Sequence, residues 1–139
     1  MTLQPNEHRT SIATLKVGER LIEIRYDDGI VFSASAVAEV QAKRRELMGS
    51  RPYATLTIIP ENVDYVSNTM SKDQGKADRT ESQLLATAVV AKASMIHLLT
   101  ELYFSYFPQL QRILVTDDEV AARTWLSQQL EEIANTTSQ

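Results

Sequence analysis

Hydrophobic and polar residues alternate along the first part of the chain. The run ATLKV at 13–17 and the run LIEIRY at 21–26 both place apolar side chains at every second position, and a break at Gly18-Glu19 separates them. This period of two around a glycine-containing break predicts a β-hairpin. Asp27, Asp28 and Gly29 follow as a second turn.

The pattern then changes to helical spacing. In SASAVAEVQAKRRELMG, the apolar residues Val37, Val40 and Leu47 fall on one side of a helix, and Gly49 stands where a helix C-terminus favours a left-handed residue. Further along the chain, buried strands are predicted from YATLTII, LLATAVVA and QRILV. Two more helices are predicted between Ser94 and Phe107 and over residues 117–133.

Alternating helices and strands predict a particular fold class. From residue 33 onward the alternation implies crossovers and a largely parallel sheet. We therefore expect an α/β fold: a mixed, mostly parallel sheet with an N-terminal antiparallel hairpin and about four helices. Residues 61–83 contribute only short exposed helical turns to this prediction. One domain is expected over residues 11–134, between a flexible N-terminus at 1–10 and a flexible tail at 135–139.

Composition narrows the function classes. The 139 residues carry a net charge of −4, and the densest basic cluster, Lys43-Arg44-Arg45, falls in a helical pattern where a solvated face is expected, so nucleic acid is not a predicted partner. With no cysteine, the chain has no disulfide or thiolate chemistry. The apolar stretch 84–107 is interrupted by Lys92, His97 and Glu101, which argues against a membrane span. We expect a cytoplasmic protein.

Candidate catalytic groups are few. His97 and Glu101 are spaced i,i+4 on a predicted helix and are interpreted as an ordinary surface pair, while His8 lies in the polar N-terminal segment. No nucleophile elbow, HExxH motif or glycine-rich phosphate loop is present. We therefore predict no enzymatic activity, no catalytic or metal-binding residues and no cofactor.

An acidic cluster follows the last predicted strand. Thr116 and Glu119 have the spacing of a capping box, in which the threonine hydroxyl accepts a backbone N–H and the glutamate bonds back to the cap residue. Asp117 and Asp118 lie in the first turn, where the helix dipole favours negative charge. The cluster is interpreted as a helix start rather than as a metal or acid–base site.

The order of these elements resembles a known family. The segment TDDEVAARTWL after a strand is similar to the T-D-E-E-E-A-x-x-W-L ending of small bacterial proteins with a SpoIIAA-like fold, the fold of STAS domains. The passages YFSYFPQ, AVVAKASMIHLL and LIEIRYDDGIVF also resemble that group, and the similarity covers roughly residues 12 to 127.

The resemblance implies a non-enzymatic regulatory module. STAS domains bind protein partners and are switched by phosphorylation of a hydroxyl in a D-S-[ST]-G-[LIV] motif. The corresponding region here, VDYVSNTMSK, offers the candidate regulatory hydroxyls Ser67, Thr69 and Ser71 but departs from that motif, since it has no aspartate–serine–glycine arrangement. The departure puts a phosphorylation switch in question.

The helix predicted from residue 94 to 107 carries more apolar surface than one sheet contact requires. Met95, Leu98 and Leu102 belong to the stripe expected to pack on the sheet. The wider arc supplies a candidate interaction surface formed by Ile96, Tyr103, Phe104 and Phe107. Its partner is expected to be another protein or a second copy in a homodimer. Cover by neighbouring helices is one alternative. Another is a small apolar ligand, because CRAL-TRIO lipid-binding domains resemble this architecture.

Overall fold

Eight strands and two helices make up the described part of the chain. The computed structural model describes residues 6–32, 34–60, 64–65, 84–95 and 112–137. The strands are β1 (Glu7–Arg9), β2 (Ala13–Val17), β3 (Leu21–Tyr26), β4 (Val31–Phe32), β5 (Tyr53–Ile58), β6 (Asp64–Tyr65), β7 (Leu84–Val90) and β8 (Ile113–Thr116). The helices are α1 (Ala34–Met48) and α2 (Glu119–Thr137), and a 3₁₀ turn covers Ala93–Met95.

Six of the strands form one mixed sheet in the order β1-β2-β3-β5-β7-β8. The pairs β1/β2 and β2/β3 are antiparallel, and every later pair is parallel. The predicted hairpin is confirmed, with Val17 opposite Ile22 and the Gly18 N–H donating to the Leu21 carbonyl at 2.7 Å. The predicted mixed, mostly parallel α/β sheet is therefore confirmed.

Two details differ from the sequence prediction. The described residues contain two α-helices and one 3₁₀ turn, so a count of about four helices is not supported there. Of the segments expected to supply the others, residues 96–107 lie outside the described residues. Within 61–83 only Asp64–Tyr65 are described, and they form strand β6 where the sequence predicted short helical turns. In addition, β1 falls inside the first ten residues, for which the sequence predicted no strand. The domain boundaries at 11 and 134 stay predictions.

A second, smaller sheet continues two strands of the first. β4 and β6 pair in parallel, with Val31 opposite Asp64 and Phe32 opposite Tyr65. β4 follows β3 after a turn, and β6 follows β5 after Pro60. Gly29, with φ of 75°, allows the chain to turn between β3 and β4 because a side chain is rarely accommodated at that backbone angle.

Each face of the sheet is covered by one described helix. On one side, here called the α1 face, Val40 and Met48 of α1 pack with Leu15, Ile22 and Ile24. On the opposite side, the α2 face, Ala122 and Leu126 of α2 pack over the central strands, on Ala54, Leu56, Ile58, Ala86 and Ala88. Successive residues of β5 point to opposite faces, and all six are buried, so both faces of this central strand are covered.

α1 ends as its sequence predicts. Gly49 has φ of 60°, and its N–H donates to the Arg45 carbonyl at 2.9 Å. A left-handed glycine directly after the helix satisfies a terminal carbonyl and turns the chain towards β5.

Candidate functional site

Buried polar side chains lie on α1 and on the α1 face of the central strands. Arg44 and Gln41 of α1, with Thr55, Thr57 and Thr87 of the central strands, are all buried. Thr55, Thr57 and Thr87 belong to the α1 face because their neighbours Ala54, Leu56, Ala86 and Ala88 pack on α2. We call the set Gln41, Arg44, Tyr53, Thr55 and Thr87 the polar layer. Such groups are costly to bury unless they are hydrogen-bonded.

Arg44 is the centre of the polar layer. Its side chain is 1% exposed. Nε donates to Gln41 Oε1 at 2.9 Å and Nη1 donates to the Tyr53 hydroxyl at 2.5 Å. Both Arg44 and Tyr53 also take part in further noncovalent interactions. The Gln41 contact lies within α1 and orients the rigid guanidinium fork, while the Tyr53 contact links α1 to the first residue of β5.

The sequence interpretation of this arginine was wrong. It placed Lys43-Arg44-Arg45 together on a solvated helix face, whereas Arg44 points into the core. The steps from Val40 to Arg44 and from Arg44 to Met48 are each four residues, and all three side chains are buried. The i,i+4 spacing of Arg44 between two core residues is the signal that could have identified it.

A threonine pair extends the polar layer across the central strands. Thr55 of β5 lies opposite Thr87 of β7, and their hydroxyl oxygens are 2.5 Å apart. One hydroxyl donates to the other, so each buried oxygen has a partner. The pair ties the two innermost parallel strands together by side chains as well as by the backbone.

The polar layer is suited to hydrogen bonding and recognition rather than to proton transfer. A guanidinium keeps its charge at any physiological pH, so Arg44 can neither accept nor release a proton in a reaction. Within the described ranges, no three His, Asp or Glu side chains converge as metal ligands would. The contacts of the polar layer are structural: the Arg44–Tyr53 hydrogen bond joins α1 to β5, and the threonine pair joins β5 to β7.

The acidic cluster after β8 starts α2, but not with the predicted cap. Thr116 is the last residue of β8, and its hydroxyl accepts the Asp118 N–H at 3.2 Å. Asp118 Oδ1 accepts the Ala121 N–H at 3.2 Å, so the cap residue is Asp118. The structure therefore corrects the predicted capping box of Thr116 and Glu119, because the chain uses residues 117 and 118 to turn from strand to helix.

Glu119 instead belongs to an ion-pair network between α2 and β3. Arg123 donates to Glu119 Oε2 through Nε at 3.1 Å and also bonds Glu23 of β3. Arg25 lies 3.8 Å from the other Glu119 oxygen. Burial alone would raise the pKa of Glu23, but the hydrogen bond and charge of Arg123 hold that pKa below its ordinary value. The Glu23 hydrogen bond likewise raises the pKa of Arg123.

The side of α2 that faces away from the sheet carries no charge over its first three turns. Val120 is 73% exposed and is the one exposed large hydrophobic side chain among the described residues. The outward face of α2 consists of Val120, Ala121, Thr124, Ser127 and Gln128, all exposed. Exposed carboxylates border it at both ends, from Asp117 and Asp118 on one side and from Glu131 and Glu132 on the other.

The candidate residues predicted from the sequence lie outside the described residues. These are the surface residues Ile96, Tyr103, Phe104 and Phe107 and the hydroxyls Ser67, Thr69 and Ser71. His97 and Glu101 lie outside them as well. His8 is part of β1, opposite Leu15. For α2 the sequence predicted only a helix over residues 117–133, and the uncharged spacing of its outward face is the signal that could have identified this surface.

Comparisons with known proteins add no relative. No protein-family model, no curated protein and no solved structure matches the chain. In the part of the chain that the structure describes, no helix is both long and apolar enough to cross a membrane.

Proposed function

We propose that this protein is a cytoplasmic, non-enzymatic, STAS-like regulatory module that binds a protein partner through the outward face of α2. The observation that carries the proposal is the absence of charge on the first three turns of that face, from Val120 to Gln128. Interface centres are depleted in charged residues, whereas a fully solvated helix face usually carries them.

The surroundings of this face indicate the chemistry of the partner. Asp117, Asp118, Glu131 and Glu132 border it and are all exposed. A partner surface with an uncharged centre and basic residues at its rim would complement this arrangement. Rim charges act mainly on the association rate, so binding should weaken as salt is raised.

The ion-pair network supports the same proposal. Arg123 donates to both Glu119 and Glu23, which directs the two charges of the first turns towards β3. α2 is thereby held on the sheet while its other side stays available. A rigid helix presents a defined surface, which lowers the entropy lost on binding.

A carrier of a small apolar ligand is the second proposal, and it has less support than partner binding. The inward side chains of the central strands on the α1 face include Thr55, Thr57 and Thr87, with Arg44 above the sheet. Apolar ligands favour pockets lined by hydrophobic side chains. Native mass spectrometry of protein purified from its own cells separates the two proposals, because a retained small-molecule adduct would favour the carrier.

The experiment that tests the interaction proposal uses a photo-crosslinking residue at Thr124 in living cells. A crosslinker at the exposed α1 position Ala42 serves as the control. The protein captured at Thr124 is then purified, and its affinity is measured for the wild type, for Val120→Glu and for Ala42→Glu at two salt concentrations. We expect Val120→Glu to weaken binding at least tenfold, which corresponds to about 1.4 kcal/mol. Equal capture at both positions, or unchanged affinity of Val120→Glu, would contradict the proposal.

A further inference from the structure

The two outer strands of the six-stranded sheet differ in how they are protected. β1, at one edge, has three residues with the sequence EHR. Arg9 Nη1 and Nη2 donate to the two Asp27 carboxylate oxygens at 2.8 and 2.7 Å. Short strands with charged side chains resist pairing with another chain. The β1 edge is therefore closed to a second sheet.

β8, at the other edge, is one residue longer and lacks the charged side chains of β1. Its sequence ILVT contains no charge, glycine or proline. All four side chains are half-buried, so each keeps some contact with solvent in the folded chain. An apolar and regular edge strand of this kind is a template for pairing with another strand.

The backbone of β8 shows which groups are available. The carbonyls of Arg112 and Thr116 accept the Thr87 and Ala91 N–H groups at 3.0 and 2.9 Å, so these alternate residues bond β7. Leu114, midway between them, faces β7 in the same ladder, and the residues on either side of it direct their N–H and C=O groups to the opposite side. Ile113 and Val115 therefore point theirs away from β7. No residue within the described ranges bonds these outward groups.

We propose that β8 pairs antiparallel with β8 of a second copy of this chain, about a two-fold axis that passes through Leu114 perpendicular to the sheet. Ile113 then lies opposite Val115 of the second copy, and Val115 lies opposite Ile113. These two pairs exchange four backbone hydrogen bonds. The result is one continuous sheet of twelve strands, twice the six of one chain.

The pairing register of the two β8 strands follows from the directions of their side chains and backbone groups. A continuous sheet keeps α2 on the same face in both copies only if residues of the same face lie opposite each other. Among registers that meet this condition, centring on Leu114 pairs the outward groups of both Ile113 and Val115 within the four residues of β8. Centring on either neighbour pairs only one of them within the strand. Leu114 then contacts its own counterpart, and no like charges lie opposite each other.

This dimer goes beyond the proposed partner binding and does not depend on it. The outward face of α2 and the β8 edge are separate surfaces, since β8 meets the helix through its sheet face. A Val120→Glu substitution should therefore leave the dimer intact, while a block of the β8 edge should leave partner binding intact.

Crosslinking through one introduced cysteine tests the register. The chain has no cysteine, so a disulfide can form only at the introduced position. In the proposed dimer, the two Leu114 Cα atoms form a non-hydrogen-bonded pair about 4.5 Å apart, within reach of a disulfide. Thr116→Cys, on the same strand and face, is the matched control, because the two cysteines would lie at least about 13 Å apart.

We expect Leu114→Cys to form a disulfide-linked dimer at least ten times faster than Thr116→Cys under mild oxidation. In light scattering, the mass of the wild type should rise from 15.6 kDa towards twice that value as concentration increases. Equal crosslinking of the two cysteine variants would overturn the register. A wild type that stays monomeric at its solubility limit would overturn the dimer.

Val115→Pro supplies a second and independent measurement. The substitution removes an outward N–H that β7 does not use, and the proline ring blocks an approaching strand. We expect a folded monomer. A folded variant that still dimerises would show that association uses another surface and would overturn the proposal. If the variant fails to fold, the comparison of the two cysteine variants decides alone.

Discussion

The two faces of the sheet bury different kinds of side chain. The α2 face is a packing surface of small and branched apolar residues, with alanines at 54, 86, 88 and 122 that let α2 approach β5 and β7 closely. On the α1 face, the core around Leu15 and Ile22 is joined by buried polar side chains of α1 and of the central strands. One face depends on shape, and the other also depends on directed hydrogen bonds. The difference predicts different responses to substitution.

The largest expected effect lies on the apolar face. Leu126→Ala removes a side chain that is 1% exposed and packs between α2 and the sheet. We expect a loss of about 3 kcal/mol in the free energy of unfolding, from lost burial and the cavity left behind. Urea unfolding followed by the fluorescence of Trp125, the single tryptophan, measures it. Ser127→Ala, exposed on the same helix, should change little, and a loss below about 1 kcal/mol for Leu126→Ala would remove the contrast between the faces.

Arg44→Met should have the next largest effect. Methionine keeps much of the volume, but Gln41 Oε1 and the Tyr53 hydroxyl lose their donor. We expect a loss of about 2 kcal/mol in the free energy of unfolding. Arg44→Lys should also be destabilising, since one ammonium lacks the fork that reaches both partners. Lys43→Met, which breaks only a surface pair with Glu46, should cost about 0.5 kcal/mol or less. Equal effects at positions 43 and 44 would contradict the role given to Arg44.

The threonine pair tests hydrogen bonding without a change of shape. Thr87→Val leaves the buried Thr55 hydroxyl without its partner and should cost about 1 to 2 kcal/mol. The double variant Thr55→Val with Thr87→Val removes both hydroxyls and should recover most of that loss. A double-mutant cycle from urea unfolding gives the coupling. Additive losses would show that the two hydroxyls do not act as a pair.

The smallest expected effect is a pH dependence on the α2 face. The pKa of Glu23 in the folded protein lies below its ordinary value of 4.5, so its ion pair with Arg123 stabilises the fold above about pH 4.5. That stabilisation is lost as the pH falls through the lower, folded-state pKa. We expect Glu23→Gln to show a shallower loss of stability below pH 4.5 than the wild type. Glu131→Gln, which removes an exposed carboxylate of α2 that has no part in this ion pair, is the control.

The sequence predicted the sheet better than it predicted the candidate site. Alternation and β-branched runs located the hairpin, β5, β7 and β8, because these strands bury residues in the periodic way that the rules assume. The identity of the cap was missed, since the two-residue turn between Thr116 and α2 depends on geometry that the T-x-x-E spacing does not contain.

The features proposed here as functional follow different rules. Arg44 was assigned to the surface by its charge, although its spacing from Val40 and Met48 places it in the core. The outward face of α2 is recognised by the absence of charged residues over its first three turns. The β8 edge is defined by the position of β8 as an outer strand of the sheet. The α2 face follows from helical spacing once its uncharged side is counted, whereas the edge position of β8 requires the assembled sheet.

The position of α2 at the end of the chain has a consequence during protein synthesis. Leu56 and Ala88, exposed on one side of the assembling strands, are covered by a helix that begins only at Glu119. At roughly 5 to 20 residues per second, several seconds pass between the completion of β7 and the completion of α2. During that interval the nascent chain presents an apolar surface. None of the described elements that are synthesised earlier covers it. Chaperone dependence should therefore be greatest just before α2 emerges from the ribosome.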